Sequence, residues 1–353
     1  MPTRAVRTIW REGGVGGLTR KLSAATRMTL PRVVMRRRTA RSTGAYFDLV
    51  TDDSRQFYGD SFHFGYFPLG SETLAEAVDA HTDLVADLAQ LREGMRVLDV
   101  GCGIGGPAVR IARRYNCHVT GINISREQVR QGRAMIEREE MSGRVFLQYG
   151  DARRLPYPDA SFDAVVCVEV AGDICITAAD KHAFVGELSR VLRPAGHLGF
   201  SDIALLMAPT KQDRAALRSV FYDDGSQLVT DWPAVLHAHG FQVHSQRCII
   251  AETLPTWDRV HEIYAGDHSV VSERYGSTLT RRALAQLELM PAVLKRIGTF
   301  PVIAATKSQP APPAVAAQPA VAVPSSLTAA TMPDIAAAAA PNPEPTALGP
   351  PDG

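Results

Sequence analysis

Apolar runs alternate with helix-period patterns between about residues 96 and 202. Five of the runs are predicted to be strands: RVLDV (96–100), HVTGIN (118–123), VFLQYG (145–150), FDAVVCVE (162–169) and one that ends near Asp202. Helical patterns stand between them, and Ser125 followed by Gln128 has the spacing of a capping box that starts a helix. Alternating strands and helices build a parallel sheet with helices on both faces. The pattern therefore predicts a doubly wound α/β fold.

The chain beyond the fifth strand is less regular. A helix, a turn at Gly240 and a strand are predicted within WPAVLHAHGFQVHSQ, and FPVIAAT (300–306) is predicted to be the last strand. The segments near 205–230 and 255–297 show no clean period. Because open parallel sheets bind ligands at the carboxyl ends of their strands, we expect these segments to be helical cap insertions over an acceptor site there.

The two ends of the chain differ in composition from its middle. Residues 1–42 contain eleven Lys or Arg and one acid, whereas 308–353 is dominated by Ala and Pro and has no aromatic residue. Segments with so little apolar surface do not offset their conformational entropy by burial. We expect a basic N-terminal arm that is partly disordered or forms a lid, a domain over 43–307 and a disordered tail. The arm is a candidate for peripheral contact with an anionic membrane, and its composition also resembles a mitochondrial transit peptide.

The cysteines and the overall charge narrow the class of protein. Five cysteines without C-x-x-C spacing are typical of buried thiols in a reducing compartment. No apolar run approaches the roughly 20 residues of a membrane-spanning helix, and the N-terminus lacks the apolar core of a secretory signal. The formal net charge of +1 gives no general argument for binding nucleic acid. A soluble cytoplasmic protein is predicted, and its oligomeric state stays open.

A glycine-rich loop follows the first predicted strand. Gly101, Gly103 and Gly106 form G-x-G-x-x-G between a strand and a helix, which favours a nucleotide-like ligand because the backbone approaches it closely and the helix N-terminus offers free N–H groups. A dinucleotide site wants an acid at the end of the second strand, where this chain has Asn123. Asp99, two residues before the first glycine, suits a cationic ligand better than a pyrophosphate. Asp151 follows the third strand and can accept a hydrogen bond from an exocyclic amine.

These residues, together with the RVLRPAGHL turn, resemble the class I S-adenosylmethionine-dependent methyltransferases over about Tyr46 to Lys307. The resemblance implies a Rossmann-like, seven-stranded, mostly parallel sheet and S-adenosylmethionine as the cofactor. It also implies cofactor contacts along the chain: Gly101, Gly103, Gly105 and Asp99 at the methionine side, Asn123 and Gln128 at the ribose, Asp151 at the adenine amine and the Ala152 N–H at the ring. Most members have Asp or Glu at the position of Asn123. An Asn at this position resembles the sterol and glycine-type methyltransferases.

An aromatic-rich segment from Ala45 to Pro68 precedes the sheet. It resembles the segment of sterol, tocopherol and other small-molecule methyltransferases in which an H-x-G-Y/F element, here His63, Gly65 and Tyr66, closes over the cofactor. The resemblance implies that Tyr66 reaches the methionine carboxylate. Aromatic faces also attract a sulfonium or a developing carbocation without being methylated. The alternative is a packing helix in which His63 is incidental.

Glu169, at the end of the fourth strand, is the main catalytic candidate. Tocopherol and sterol enzymes carry a Glu at the similar place, where a carboxylate can stabilise a cation or accept a proton; the alternative is that Glu169 braces the cofactor or a helix. His63 is the second catalytic candidate, as a base for a hydroxyl acceptor. Asp202 and His268 are weaker candidates. No metal site is predicted, since His237 and His239 lack a carboxylate at ligand spacing.

The predicted function is S-adenosylmethionine-dependent methyl transfer to a small lipophilic acceptor, terpenoid, sterol-like or aromatic, at carbon or oxygen. N-methylation of an amine or amino acid is the alternative within the class, because CHVTGINIS also resembles glycine and sarcosine methyltransferases. A nicotinamide-dependent oxidoreductase and a non-catalytic module are the alternatives outside it. The sequence VEVA stands where nucleic-acid methyltransferases have N/D-P-P-Y/F, which argues against a nucleic-acid substrate.

Overall fold

The computed structural model describes residues 39–221, 225–266 and 277–309. Nine strands occur in these ranges: β1 (Arg96–Val100), β2 (His118–Asn123), β3 (Val145–Tyr149), β4 (Phe162–Val168), β5 (Leu192–Ser201), β6 (Ala204–Leu205), β7 (Phe241–Cys248), β8 (Gly298–Thr299) and β9 (Pro301–Lys307). Seven of them form one sheet in the order β3-β2-β1-β4-β5-β9-β7, and β6 pairs separately with β8.

The sheet is parallel except at β9, which runs antiparallel to both β5 and β7. The chain builds outward from β1 to β3 and then returns to β4 on the other side of β1. This reversal leaves a crevice at the carboxyl ends of β1 and β4, where doubly wound sheets bind ligands. The predicted fold class, a seven-stranded and mostly parallel sheet, is confirmed.

Helices cover both faces of the sheet. They are α1 (Ala40–Tyr58), α2 (Leu74–Leu88), α3 (Gly106–Tyr115), α4 (Arg126–Arg138), α5 (Ala171–Ile174), α6 (Ala178–Val191), α7 (Lys211–Val220), α8 (Trp232–Ala238), α9 (Ile250–Thr253), α10 (Pro255–Gly266) and α11 (Ser277–Ile297). Strand β4 is buried over nearly its whole length because helices pack on both of its sides. Phe184 and Leu188 of α6 fill the core on one face, and Ile111 of α3 fills it on the other.

Two local features differ from the sequence prediction. The Pro-Ala-Gly turn expected before the fifth strand lies inside β5, where Ala195 adopts φ 59° and the register against β4 shifts between Phe162 and Ala164. The aromatic-rich segment is helical over its first half, because α1 continues to Tyr58. The helix also begins before the expected domain boundary at residue 43.

Helix α1 lies against α4, at the carboxyl end of β2. The Asp48 carboxylate accepts hydrogen bonds from Ser125 Oγ at 2.6 Å and from Glu127 N at 3.0 Å, and so helps to cap α4. Most of the predicted basic arm, nearly all of the predicted tail and parts of both predicted cap insertions lie outside the described residues. None of the helices in the described ranges has both the length and the apolar character that crossing a membrane requires.

Candidate active site

The glycine loop forms the floor of the crevice between β1 and β4. Gly101, Gly103 and Gly105 adopt φ of 72°, 57° and 99°, a left-handed backbone that disfavours other residues. A Cβ on Gly101 would lie 2.2 Å from Val170 Cγ2, so close packing requires this glycine. A Cβ on Gly103 would meet no atom within 4 Å. The loop is therefore open at Gly103, where a ligand can approach the backbone.

Asp99 is a buried carboxylate without a partner beside this loop. The residue is 3% exposed, and its Oδ2 has no hydrogen-bond partner within the described part of the chain. Burial raises the pKa of Asp99 from 3.8 to about 7. Buried charges are normally paired, and this carboxylate matches a cationic ligand at the loop.

The N-terminus of α3 is partly covered by the loop that follows α1. Gly106 N donates a hydrogen bond to the Asp60 carbonyl oxygen at 3.1 Å. A Cβ on Gly106 would lie 2.4 Å from Ser61 Oγ, so this loop packs directly on the third glycine of the motif. One of the N–H groups at this helix N-terminus is therefore already bonded within the protein.

The residues predicted to hold the ribose lie together. Asn123 Nδ2 donates to Gln128 Oε1 at 2.6 Å and to the Gly103 carbonyl oxygen at 3.2 Å. Asn123 and Gln128 are both buried, at the end of β2 and the start of α4. The Gln128 side chain therefore faces Asn123, and only its backbone N–H bonds to the Ser125 cap.

Asp151, predicted to hold the adenine amine, forms an ion pair with Arg153. Arg153 Nη2 lies 2.9 Å from Asp151 Oδ2, and Nη1 of the same guanidinium lies 2.9 Å from Asp180 Oδ1. Burial raises the pKa of Asp151, but the hydrogen bonds and charge of Arg153 outweigh it and leave this pKa below its ordinary value. Asp151 is thus ionised as an acceptor must be, and the neighbouring Ala152 is buried.

Glu169 is the most unusual residue of the crevice. It follows β4 with φ 54°, and its Oε1 accepts a hydrogen bond from Phe64 N at 2.7 Å. Burial, followed by the negative charge of Asp202, raises the pKa of Glu169 well above its ordinary value. A left-handed backbone at a residue that carries a largely buried carboxyl, with a side chain 13% exposed, is strain of the kind that clusters at functional sites.

His63, His81 and Glu169 form a group whose ligand atoms lie within 4.8 Å of one another, and no other such set of three metal-ligand residue types occurs in the described ranges. The two histidines weighed as metal ligands from the sequence, His237 and His239, are not part of this group. The Nδ1 atoms of His63 and His81 lie 2.9 and 2.8 Å from the Phe64 carbonyl oxygen.

A carbonyl oxygen can only accept, so each of these Nδ1 atoms carries a proton. The Nε2 atoms then accept hydrogen bonds, from Thr82 Oγ1 at 3.2 Å for His63 and from Ser201 Oγ at 3.0 Å for His81. Burial lowers the pKa of His63 to about 4 and, with the charge of His63 as a second cause, that of His81 to about 3. Both imidazoles are neutral, and each uses both of its ring nitrogens in hydrogen bonds within the protein.

The aromatic rings of the segment 45–68 point in different directions. The Phe64 ring packs in the core against Trp257 and Phe300. The Tyr66 hydroxyl accepts a hydrogen bond from Arg247 Nη2 at 2.7 Å, and its predicted contact with the cofactor stays a prediction. Phe62 is 40% exposed and packs on Tyr58 with ring centroids 4.9 Å apart.

Tyr58, which sequence reasoning did not single out, lies near the catalytic candidate. Burial raises the pKa of its phenol, followed by the charges of Tyr264 and Glu169. Tyr58 is therefore an aromatic residue near the Glu169 carboxyl, and Phe62 packs on it from the exposed side.

The weaker base candidates have structural partners or fall outside the described ranges. Asp202 Oδ2 accepts a hydrogen bond from Gly172 N at 3.0 Å in the first turn of α5, and burial raises its pKa to about 7. His268 lies outside the described residues. His239 pairs with His182, with 3.0 Å between Nε2 and Nδ1.

His81 is the main residue of the site that the sequence reasoning missed. It lies in the buried stripe of α2, which also contains Leu74, Ala77, Val78, Thr82, Val85 and Ala86. A single histidine within such an apolar stripe was the available signal. Its partners, at Phe64 and Ser201, are distant in sequence and were not predictable from periodicity.

A family model and several curated proteins match this chain. The family model described as mycolic acid cyclopropane synthetase matches residues 36–275. The 27-O-demethylrifamycin SV methyltransferase of Amycolatopsis mediterranei (strain S699) is 34% identical over 235 residues, which cover 66% of this chain and 85% of that protein. Sterol 24-C-methyltransferase ERG6B of Gibberella zeae is 38% identical over 157 residues, which cover 44% of this chain and only 40% of that longer protein.

Solved structures share the fold. The crystal structure of the mycolic acid cyclopropane synthase CmaA1, complexed with SAH and CTAB, has a TM-score of 0.68 and 18% sequence identity, over 76% of this chain and 98% of that one. At this identity the likeness speaks for the fold alone.

Proposed function

Since this chain belongs to the mycolic acid cyclopropane synthetase family and is an S-adenosylmethionine-dependent methyltransferase, we propose that it methylates a small lipophilic acceptor at carbon or oxygen. The observation that carries the proposal is the environment of Glu169. This carboxyl, whose side chain is 13% exposed, lies at the carboxyl end of β4 and near the Tyr58 phenol, and it has no Lys or Arg ion-pair partner among the described residues. Such a site suits an apolar acceptor that becomes cationic during the reaction.

The residues of the glycine loop fit the cofactor. Asp99 offers a buried, unpaired carboxylate to a cationic ligand, and the open side of Gly103 leaves room for it. We propose that Asn123 and Gln128 hold the ribose hydroxyls and that Asp151 accepts from the adenine amine. S-adenosylmethionine, when bound, supplies an electrophilic methyl group.

The remaining catalytic tasks belong to the chain. The Phe64 N–H fixes Oε1 of Glu169, and Oε2 has no hydrogen-bond partner within the described ranges, so we propose that it faces the acceptor. With a carbon acceptor, the ionised form of Glu169 stabilises the developing positive charge and accepts the proton that is lost afterwards, and its raised pKa makes it the stronger base. His63 is a poorer proton acceptor, because its pKa lies near 4 and its Nε2 already bonds to Thr82. This difference favours Glu169 over His63.

The proposal is tested with S-adenosylmethionine that carries a trideuterated methyl group. The protein is incubated with sterols, terpenoid diphosphates, phenols and amines, and products are detected by mass spectrometry and located by NMR. We expect the label on a carbon or oxygen of a lipophilic acceptor. Labelling of polar amines alone would establish the N-methyltransferase alternative and contradict the proposal.

The cellular setting is a separate proposal. All five cysteines are free and four of them are buried, which supports the prediction of a reducing, cytoplasmic location. The basic composition of residues 1–42 supports peripheral contact with anionic lipid. Sedimentation of the protein with anionic but not with neutral vesicles would test this contact.

A further inference from the structure

His81 is a wholly buried polar residue for which packing alone gives no reason. It is 0% exposed in the apolar stripe of α2, and both of its ring nitrogens are hydrogen-bonded. A hydrophobic residue of similar volume would avoid the cost of burying an imidazole. The reason for a polar residue at this position therefore lies in its two hydrogen-bond partners.

Those partners connect the backbone N–H of Glu169 with its side-chain carboxylate. Glu169 N donates to the Ser201 carbonyl oxygen at 2.8 Å, and Ser201 Oγ donates to His81 Nε2 at 3.0 Å. His81 Nδ1 donates to the Phe64 carbonyl oxygen at 2.8 Å, and Phe64 N donates to Glu169 Oε1 at 2.7 Å. These bonds form a closed ring, from the backbone of Glu169 through β5 and α2 back to its own carboxylate.

The ring of hydrogen bonds also maintains the strained backbone conformation of Glu169. At φ 54° the residue has a conformation that non-glycine residues rarely adopt, and surrounding contacts must maintain it. The Phe64–Gly65 peptide is fixed from a second side, since Gly65 N donates to Thr256 Oγ1 at 3.0 Å. His81 Nδ1 itself lies 3.6 Å from Glu169 Oε1, beyond direct hydrogen bonding, so its influence passes through Phe64.

We propose that His81 is a positioning residue for methyl transfer, which holds the Glu169 carboxylate towards the acceptor through the Phe64 backbone and Ser201. This role rests on the proposed function of Glu169. Phenylalanine at position 81 would keep the ring volume and lose both hydrogen bonds. Asparagine would keep a donor close to the place of Nδ1–H, and alanine at Ser201 would open the ring at another bond.

The pH profile distinguishes this role from simple core packing. The Phe64 N–H lowers the pKa of Glu169 against the larger effect of burial, so a weaker Phe64 bond shifts this pKa upwards. Groups from several elements face Glu169 and act on the same profile: His63, His81, Tyr58 of α1, Asp173 of α5 and Asp202 after β5. None of these other groups is changed in the His81 variants, so the shift reports the loss of the ring.

The test compares His81→Phe, His81→Asn and Ser201→Ala with Val85→Ala, a buried change four residues further along α2. We expect His81→Phe to lower kcat about tenfold or more, with cofactor affinity by calorimetry nearly unchanged, and to move the acidic limb of the pH profile to higher pH. His81→Asn should recover much of the loss, and Ser201→Ala should act in the same direction as His81→Phe. Val85→Ala should lower the melting temperature without moving the pH profile.

Double variants separate the failure of this inference from failure of the proposed function. If Glu169→Gln is slow, adding His81→Phe should cost little more, because both changes remove the same positioned carboxylate. A slow Glu169→Gln with a folded His81→Phe at the wild-type rate and pH profile would overturn the role of His81 alone. A wild-type rate in Glu169→Gln would overturn the proposed role of Glu169. If His81→Phe does not fold, an unchanged kcat and pH profile in Ser201→Ala overturns the inference.

Discussion

Replacing Asp99 with asparagine tests whether the glycine loop holds an uncompensated carboxylate. Burial raises the pKa of this group from 3.8 to about 7. Because the folded-state pKa lies above the unfolded one, the folded protein binds more protons between these two values. Below about pH 4 the carboxyl is protonated in both the folded and the unfolded state, and Asp99 costs no stability. The free energy of unfolding then falls as the pH rises from about 4 through about 7. Asp99→Asn removes this dependence.

The size of the effect follows from the two pKa values. A rise from 3.8 to about 7 corresponds to about 4 kcal/mol between the protonated and ionised limits. About 3 kcal/mol of this falls between pH 5 and pH 8, which for a domain of this size is roughly 6 °C in melting temperature. Glu169 and Asp202 titrate in the wild type and the variant alike, so their contributions cancel in the comparison.

The assay is thermal unfolding of the cofactor-free protein at pH 5 and pH 8. We expect the wild type to lose roughly 6 °C more than Asp99→Asn over this interval. Glu137→Gln, a change at an exposed carboxylate of α4, should behave as the wild type does. Equal losses in the wild type and Asp99→Asn would refute the reasoning, because the carboxylate would then be solvated or paired in solution.

Two further predictions concern the cofactor site. Gly103→Ala and Gly94→Ala both place a methyl group at a left-handed glycine where no atom lies within 4 Å. Each change should therefore cost about 1 kcal/mol of stability. Only Gly103→Ala should lower the affinity for S-adenosylmethionine, by about tenfold or more in calorimetry. Equal affinities in the two variants would show that the open side of Gly103 does not face the cofactor. Asp151→Ala should weaken binding of S-adenosylmethionine by roughly 1–3 kcal/mol through a lost charged hydrogen bond. Unchanged affinity would mean that Asp151 serves only the ion pair with Arg153.

Much of the sheet was predictable because its strands are short apolar runs between clear helix signals. Strands β1 and β2 have the predicted bounds, and β4 reads as a continuous apolar run because both of its faces are buried. Helix α1 was expected only as the alternative interpretation of the aromatic-rich segment, since its sequence is largely polar. Its residues meet their partners across the fold, as Asp48 does at the start of α4.

The placement of Asp99, Asn123 and Glu169 at or near strand ends was predictable from the sequence. The contacts between distant segments were not. Gly65 illustrates the limit: a Cβ there would lie 2.6 Å from Ala77 Cβ, so close packing of the loop on α2 requires the glycine. The sequence shows the glycine and not the helix that it touches. The network around Glu169 escaped prediction for the same reason.

The most direct test of the account is a single-turnover measurement of labelled methyl transfer from S-adenosylmethionine to the identified acceptor, by the wild type and by Glu169→Gln, with the cofactor saturating. Glutamine keeps the shape of the side chain and removes its charge. We expect a rate about 100-fold lower in the variant, which corresponds to about 3 kcal/mol, with cofactor affinity nearly unchanged. A variant that transfers the methyl group at close to the wild-type rate would contradict it.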